Sequence, residues 1–530
     1  MNSTTLRRSS SRTQPTSLDL HPSLGSEAEG GGYLDVNGVS SIEDSQTDVR
    51  TGQETDEDSR PTVTRTSPIR RQTPHLIAPN PTPVDEAVPV SQELARWIKL
   101  RAQDLKLRQR DRQWAVELVN HLRDSLLESL KNSDEQPYFQ AATVLNSGSY
   151  YEMVKIQNPN EFDMMLKLQP PSRLKWTVLD QYHGLFYEVG LYKPTRSNIR
   201  SFLLEDGLTI SAGKILGETH RLVRKFISTY KVPDSSCFWS VNRKRPNSPA
   251  VTLSLFKVNN RDEELLSVDV VPALEVPSTQ GWPQPARSGL DVDKWLGKKT
   301  RRSLTNQTCF FVPKRPPGRN LNDAAKESWR ISFSHIEKQI INHHGNKKTC
   351  CESAATKCCR KLCFKLLKRL IEGLKQRYPK ELDALCSYHG KTAFLHTLST
   401  RAQDTLWSPN QLPACFMHLL GALEDHARDS HLPHFFVPNA NLFAPPTFPR
   451  KALAFLTNAL EEQRREGFPL LQPPAPSPPL AVHSPLNCQP GSDTVQLCLS
   501  QSSQGNGKVY TFITALIVFL GLGVGYLHLM

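Results

Sequence analysis

Apolar positions divide the chain into segments of very different character. From residue 1 to about 88 they are sparse and follow no sustained period, against a background of Ser, Thr, Gly, Asp and Pro. Such a stretch cannot bury enough surface to offset its chain entropy, so a disordered tail is expected over 1–90. The run from Glu93 to Val119 then carries helical apolar spacing with few breakers, and Ser91 is placed to cap it. Strand-like and helical runs mix beyond it. After about Asp323 the pattern turns helical. Residues 473–507 are a Pro/Ser/Gln/Gly linker, and the 22 residues from Val509 to Met530 carry no charge. That length suffices for a bilayer core of roughly 30 Å, so 508–530 is expected to be a transmembrane anchor. The N-terminal residues are polar, hold Arg7 and Arg8, and do not read as a signal peptide.

Two of the strand-like runs carry acids. In Glu161-Phe-Asp163-Met-Met-Leu the two carboxylates lie two positions apart, so on a strand they share a face. Carboxylates so placed suit shared Mg²⁺ ions bridging nucleotide phosphates. Upstream, Asn-Ser147-Gly148-Ser149-Tyr-Tyr forms a turn in which Gly148 permits close backbone approach and Ser147 and Ser149 offer hydroxyls. A third carboxylate is needed, and Asp269 in the β-branched run Leu265-Leu-Ser-Val-Asp-Val-Val is the candidate.

Cysteines are concentrated too. Five of the eleven (Cys350, Cys351, Cys358, Cys359 and Cys363) fall within fourteen residues, just after His344. One His and three Cys on a short basic hairpin suit a closed tetrahedral Zn²⁺ site that holds a loop rigid. A disulfide loop is the competing reading, but adjacent cysteines do not readily bond to each other and nothing else reads as secreted.

Charge sharpens the picture. The net charge of +13 is uneven: residues 1–90 hold 8 Lys+Arg against 13 Asp+Glu, and 471–530 balance, leaving +18 on 91–470. A folded region that basic suits a polyanion. Lys106, Arg108 and Arg110 cluster on the first long helix. Lys361, Lys365 and Lys368 recur at i, i+4 and i+7 directly after the cysteine loop, which itself bears Lys347, Lys348 and Lys357. The stripe and the loop lysines together predict a platform for duplex nucleic acid, whereas the cluster on the first helix by itself reads as a solvated face.

Several stretches resemble the cyclic GMP-AMP synthases of the Mab-21 nucleotidyltransferase family: Asn-Ser-Gly-Ser-Tyr-Tyr-Glu, Pro-Asn-Glu-Phe-Asp, Arg-Lys-Arg-Pro-Asn-Ser-Pro-Ala-Val-Thr-Leu, Trp329-Arg-Ile-Ser-Phe-Ser-His-Ile-Glu-Lys, the His-Cys-Cys-Cys insertion and Ser387-Tyr388-His389. The resemblance runs from about Ser91 to Leu471. It implies an α/β (α+β) bilobal fold: a mixed-sheet nucleotidyltransferase core with an N-terminal spine helix over 91–322, and a helical lobe over 323–472 with the zinc insertion at 344–358. It implies Mg²⁺ (or Mn²⁺) on Glu161, Asp163 and Asp269, and Zn²⁺ on His344, Cys350, Cys351 and Cys358, with Cys359 and Cys363 outside the ligand set. Nucleotide contacts are implied for Ser147, Ser149, Arg330, Ser332, Ser334, Lys368, Ser387 and Tyr388, the last as a base-stacking ring. DNA contacts are implied for Lys106, Arg108, Arg110, Lys338, Lys347, Lys348, Lys361 and Lys365.

The expected activity is synthesis of cyclic GMP-AMP from ATP and GTP on double-stranded DNA, by a homodimer. The catalytic domain is expected in the cytosol, tethered to the endoplasmic reticulum or another intracellular membrane, with free distribution between cytosol and nucleus as the alternative. Two further readings stay open: a non-catalytic membrane adaptor, disfavoured by the intact carboxylates, and a synthase answering another ligand such as double-stranded RNA. The tail is mildly acidic where family tails are basic, which argues against tail-assisted DNA binding.

Overall fold

The structure, a computed structural model, describes residues 90–471 except 108, 157, 246 and 446; the side chains of Arg110 and Asp111 also lie outside the described residues. The expected N-terminal tail, the linker 473–507 and the membrane span 508–530 fall outside them as well. Among the described residues no helix is long and apolar enough to cross a membrane.

The first helical run is two helices, α1 (Gln92–Asp104) and α2 (Gln109–Lys131), where one continuous helix was expected. Ser91 caps α1 as the sequence predicts, its hydroxyl accepting from the Leu94 amide at 3.2 Å. The break follows from two different packing partners. Helix α1 lies on the helices of the C-terminal lobe, whereas α2 lies on the central sheet and its covering helix. Fully buried Leu105 marks the junction.

That sheet has nine strands: β1 (Thr143–Ser147), β2 (Glu161–Leu168), β3 (Leu174–Val178), β4 (Phe186–Leu191), β5 (Cys237–Val241), β6 (Val251–Lys257), β7 (Asn260–Glu275), β8 (Phe310–Val312) and β9 (Trp329–Ser332). Its spine is the order β1-β2-β7-β8-β9-β4-β3, with β6 pairing β7 and β5 pairing β6. Strands β2 and β7 run parallel, and the remaining pairs are antiparallel, which makes the sheet mixed. Helix α3 (Gly148–Tyr151) is a single turn after β1, and α4 (Ala212–Thr229) packs on β5, β6 and β7 through Ile215, Leu222, Val223 and Phe226. That spacing is the apolar stripe of a helix covering a sheet.

Short helices α5 (Gln284–Arg287), α6 (Lys298–Thr305) and α7 (Asp323–Lys326) follow, then α8 (Ser334–Asn342). Strand β9 lies past Asp323, where helix was expected to take over. Its signal was period-two alternation: Trp329 and Ile331 are buried, while Arg330 and Ser332 are half-buried. The C-terminal lobe comprises α9 (Arg360–Arg377), α10 (Ser387–Thr400), α11 (Leu412–Arg428) and α12 (Arg450–Arg465), with a two-stranded ribbon of β10 (Pro433–His434) and β11 (Val437–Asn441). Helix α9 is its axis, touching α1, α10 and α11 and burying Phe364, Leu367, Leu370 and Leu374.

Candidate active site and metal centre

Strand pairing brings the three predicted carboxylates together. Asp163 on β2 stands opposite Asp269 on β7, and Glu161 stands opposite Ser267. Paired residues and residues two apart share a face, so Glu161, Asp163 and Asp269 project on one side. Their neighbours Phe162, Met164, Val268 and Val270 point the other way and are buried. Asp163 is also opposite Ser147 at the end of β1. There the chain turns sharply at Gly148, whose φ is +81°. A Cβ at Gly148 would sit 1.7 Å from Asp163 Oδ2, so any other residue here would push that carboxylate aside and strain the backbone.

Two of the acids have a partner of their own. The Lys155 ammonium pairs with Glu161. The Thr252 hydroxyl, on β6 opposite Asp269, donates to Asp269 Oδ1 at 2.6 Å. Burial, and then the neighbouring Asp269, push the Asp163 carboxyl up to about 6. Crowded carboxylates whose charge is disfavoured this way suit divalent cations with oxygen ligands, and the donor set fits Mg²⁺.

A buried ion triad that sequence reasoning missed stands nearby. Lys391 on α10 bridges Glu152 at 2.7 Å and Glu337 on α8 at 3.0 Å, and Glu152 is fully buried. The two carboxylates hold the Lys391 ammonium well above its ordinary pKa despite its burial. The Tyr388 hydroxyl donates to Glu337 at 3.1 Å and meets His434 Nε2 at 2.9 Å. Arg330 lies 5.8 Å and Lys391 5.9 Å from the centre of the Tyr388 ring. Thus Arg330 and Tyr388 do come together. Lys314, also unforeseen, lies beside Arg330, and its pKa is lowered by burial and then by that guanidinium. Ser332 ends β9, Ser334 opens α8 with a buried, unpartnered hydroxyl, and Ser387 is exposed at the start of α10. Ser147 is buried and Ser149 half-buried beside Gly148.

The second cluster lies between α8 and α9. His344, Cys350, Cys351 and Cys358 place their ligand atoms within 4.8 Å of one another. Cys351 Sγ is 3.6 Å from His344 Nε2 and 3.6 Å from Cys358 Sγ; Cys350 and Cys351 sulfurs are 3.9 Å apart, and Cys358 Sγ is 3.2 Å from His344 Nε2. Ligands about 2.3 Å from a tetrahedral zinc ion are about 3.8 Å apart, so the four donors fit Zn²⁺. His344 Nδ1 lies 2.7 Å from the Ile341 carbonyl, leaving Nε2 toward the sulfurs, the usual second hydrogen bond of a metal-binding imidazole. No cysteine among the described residues is disulfide-bonded. Cys359 and Cys363 are fully buried and stand outside the cluster. The loop is a succession of turns with no strand pairing, where a hairpin was expected.

The lysines divide into two kinds. Lys347, Lys348 and Lys106 are exposed. On α9 the predicted stripe faces partly inward: Lys361 Nζ donates to Asn342 Oδ1 at 2.7 Å, and buried Lys368 reaches the Val154 carbonyl at 3.4 Å. Lys338 likewise donates to the Asn146 carbonyl at 2.7 Å. Burial lowers Lys365 to about 8, helped by repulsion from Lys361, Arg112 and Lys106. The fold therefore gathers Lys106, Lys361 and Lys365 and adds Arg112 from α2. Arg108 and the Arg110 side chain lie outside the described residues.

Carboxylates on adjoining strands, a glycine turn and a neighbouring cation-and-tyrosine cluster suit a nucleotidyltransferase. Residues 150–343 match the Mab-21 protein nucleotidyltransferase domain, and 359–462 match the Mab-21 protein HhH/H2TH-like domain. Over 368 residues the chain is 41% identical to a cyclic GMP-AMP synthase of Mus musculus, covering 69% of this chain and 68% of that one. It is 34% identical over 360 residues to the Sus scrofa protein of the same name, covering 67% and 68%. A cyclic GMP-AMP synthase-like receptor of Magallana gigas is 30% identical over 225 residues, covering 41% and 34%. The chain belongs to the Mab-21 nucleotidyltransferase family and is an enzyme of the cyclic GMP-AMP synthase type.

Proposed function

We propose that the chain joins ATP and GTP into cyclic GMP-AMP when double-stranded DNA engages its basic surface. The observation that carries this reading is the face-sharing arrangement of Glu161, Asp163 and Asp269 beside Gly148, within a chain 41% identical to a cyclic GMP-AMP synthase. Those three residues would hold Mg²⁺ or Mn²⁺, which when bound neutralises the triphosphate and favours attack of a ribose hydroxyl on the α-phosphate. The chain's own groups do the positioning. Lys155 and Thr252 orient Glu161 and Asp269, and the Gly148 turn leaves room for phosphate. Tyr388 offers a ring for a base, Arg330 and Lys314 offer positive charge, and Ser332, Ser334, Ser387 and Lys368 complete the nucleotide contacts. Pyrophosphate leaves, and a second turnover closes the ring.

His344, Cys350, Cys351 and Cys358 would hold one structural Zn²⁺; four protein ligands leave no position for chemistry. DNA would lie across Lys106, Lys347, Lys348, Lys361 and Lys365 and pair two copies of the enzyme. The uncharged run 509–529 supports, by sequence alone, a tether to an intracellular membrane with the enzyme facing the cytosol.

The deciding experiment incubates the protein with ATP, GTP and Mg²⁺, with DNA, double-stranded RNA or no activator, and identifies the products. Cyclic GMP-AMP formed only with DNA is expected. Equal output with RNA, or none, overturns the reading. Carbonate-resistant membrane association that vanishes on deleting 508–530 is expected; a wholly soluble full-length protein refutes the tether.

A further inference from the structure

The metal loop is gripped from both ends by one short turn distant in sequence. Asp404 opens the 3₁₀ turn Asp404–Trp407, which follows α10. Its two carboxylate oxygens each accept a loop amide, Asn346 N–H at 2.8 Å and Lys347 N–H at 2.8 Å. At the other end of the loop, the Cys359 amide donates to the Trp407 carbonyl at 2.8 Å. Arg360 joins the two ends. Its side chain is completely buried, yet the guanidinium bonds Asp404 at 2.8 Å, the Ala402 carbonyl at 3.3 Å and the Cys350 sulfur at 3.6 Å. Its guanidinium carbon lies 5.3 Å from the centre of the fully buried Trp407 ring.

The cost of burying an arginine needs explaining. Three thiolates, one imidazole and Zn²⁺ carry a net charge of −1, and a guanidinium N–H on one sulfur offsets it. The same guanidinium orients the carboxylate that receives the loop amides. We infer that Asp404 and Arg360 are positioning residues which hold the loop in its metal-binding shape and fix where Lys347 and Lys348 are presented. This inference rests on the zinc reading above. Outer groups that hydrogen-bond metal ligands commonly change metal affinity by about 10–100-fold when removed.

The test uses the full chain and Asp404→Asn, which keeps the side chain's shape but replaces one acceptor oxygen with a donor. Asp404 is 19% exposed, so this variant is the one expected to fold; Arg360→Lys, which keeps charge but loses the fork, is the second. Two readouts are followed. Zinc loss to a chelator should be about 10–100-fold faster in Asp404→Asn, while the thermal transition of the rest of the protein is unchanged. Amide exchange in metal-free protein should show Asn346 and Lys347 losing protection in the variant, while the α9 amides of Leu366 to Leu370 keep theirs. Zinc retention within twofold of the parent, or unchanged protection at Asn346 and Lys347, overturns the proposal. A parent protein that binds no zinc defeats the zinc reading alone, because the exchange comparison still decides whether Asp404 clamps the loop. Arg360→Lys should fall between parent and Asp404→Asn in zinc loss; zinc loss equal to the parent removes Arg360 from the proposal.

Discussion

Asp163 is the residue on which structure and chemistry pull hardest against each other. It is packed against Asp269 and the Gly148 turn, and its folded-state pKa of about 6 lies above the ordinary 3.8. The metal-free native state therefore keeps a proton that the unfolded chain releases between about pH 4 and 6. Stability from this group is fully present below about pH 4 and is lost as pH rises through about 6, by about 2–3 kcal/mol. Asp163→Asn should thus abolish synthesis yet raise the metal-free protein's unfolding free energy at pH 7, with a smaller gain at pH 4. Denaturant titrations at the two pH values check this; equal gains would refute it. Asp269→Asn should also abolish synthesis, and output near that of the parent would remove Asp269 from the site. Gly148→Ala should cost more than 100-fold in rate, because its Cβ meets Asp163 Oδ2 at 1.7 Å; single-turnover kinetics measure it. Glu161 and Asp163 were legible because strand periodicity puts them on one face, and Asp269 because a third carboxylate stood on another β-branched run; that it shares their face comes from the β2–β7 register. Thr252 and Lys391 were not. Their roles come from cross-strand register and helix packing, which a single sequence does not display.

At the scale of elements, the His/Cys loop and α9 are continuous. The loop ends where α9 begins, and α9 carries Lys361 and Lys365 toward Lys106 and Arg112. Lys365 is held near 8 by burial and by these like charges, and a phosphate beside it would raise its pKa again. Binding of DNA should then take up protons. The contribution of Lys365 is fully present below about pH 8 and falls as pH rises through and beyond that value. Affinity measured at constant salt should drop between pH 7 and pH 9 in the parent and drop less in Lys365→Met. Cys351→Ala should lose bound metal and DNA response together, measured as zinc per chain and as DNA-dependent turnover; a metal-free yet fully responsive protein would contradict the loop's role. The clustering of His344, Cys350, Cys351 and Cys358 was readable from the spacing of one histidine and five cysteines together with family resemblance. The backing turn Asp404–Trp407 was not, since 58 residues separate Asp404 from the amide of Asn346. The α1–α2 break was hidden for a related reason. No glycine or proline marks it, and it exists because each helix serves a different partner.

The whole molecule sets the scale of the electrostatics. Residues 91–470 carry +18, while the segments before and after them carry −5 and zero, so attraction for a polyanion belongs to residues 91–470. That distribution was visible in the sequence, but its geometry was not. Part of the positive charge is spent inside: Lys368 and Lys338 bond backbone carbonyls, and Lys391 joins a buried triad. The surface therefore offers fewer phosphate contacts than the net charge suggests, and of the DNA contacts expected from the sequence Lys106, Lys347 and Lys348 are exposed. Counterion release turns this into a measurable slope. The logarithm of the DNA association constant should fall linearly with the logarithm of salt, by roughly 0.9 per phosphate neutralised. Replacing Lys347 and Lys348 with Met should flatten the slope by about 1.8, equally for unrelated duplex sequences, because phosphate contacts carry no base information. Replacing buried Lys368 should leave that slope unchanged and instead impair nucleotide use at saturating DNA. A slope insensitive to Lys347 and Lys348, or a marked preference for one duplex sequence, would show that DNA engages a different face of the protein.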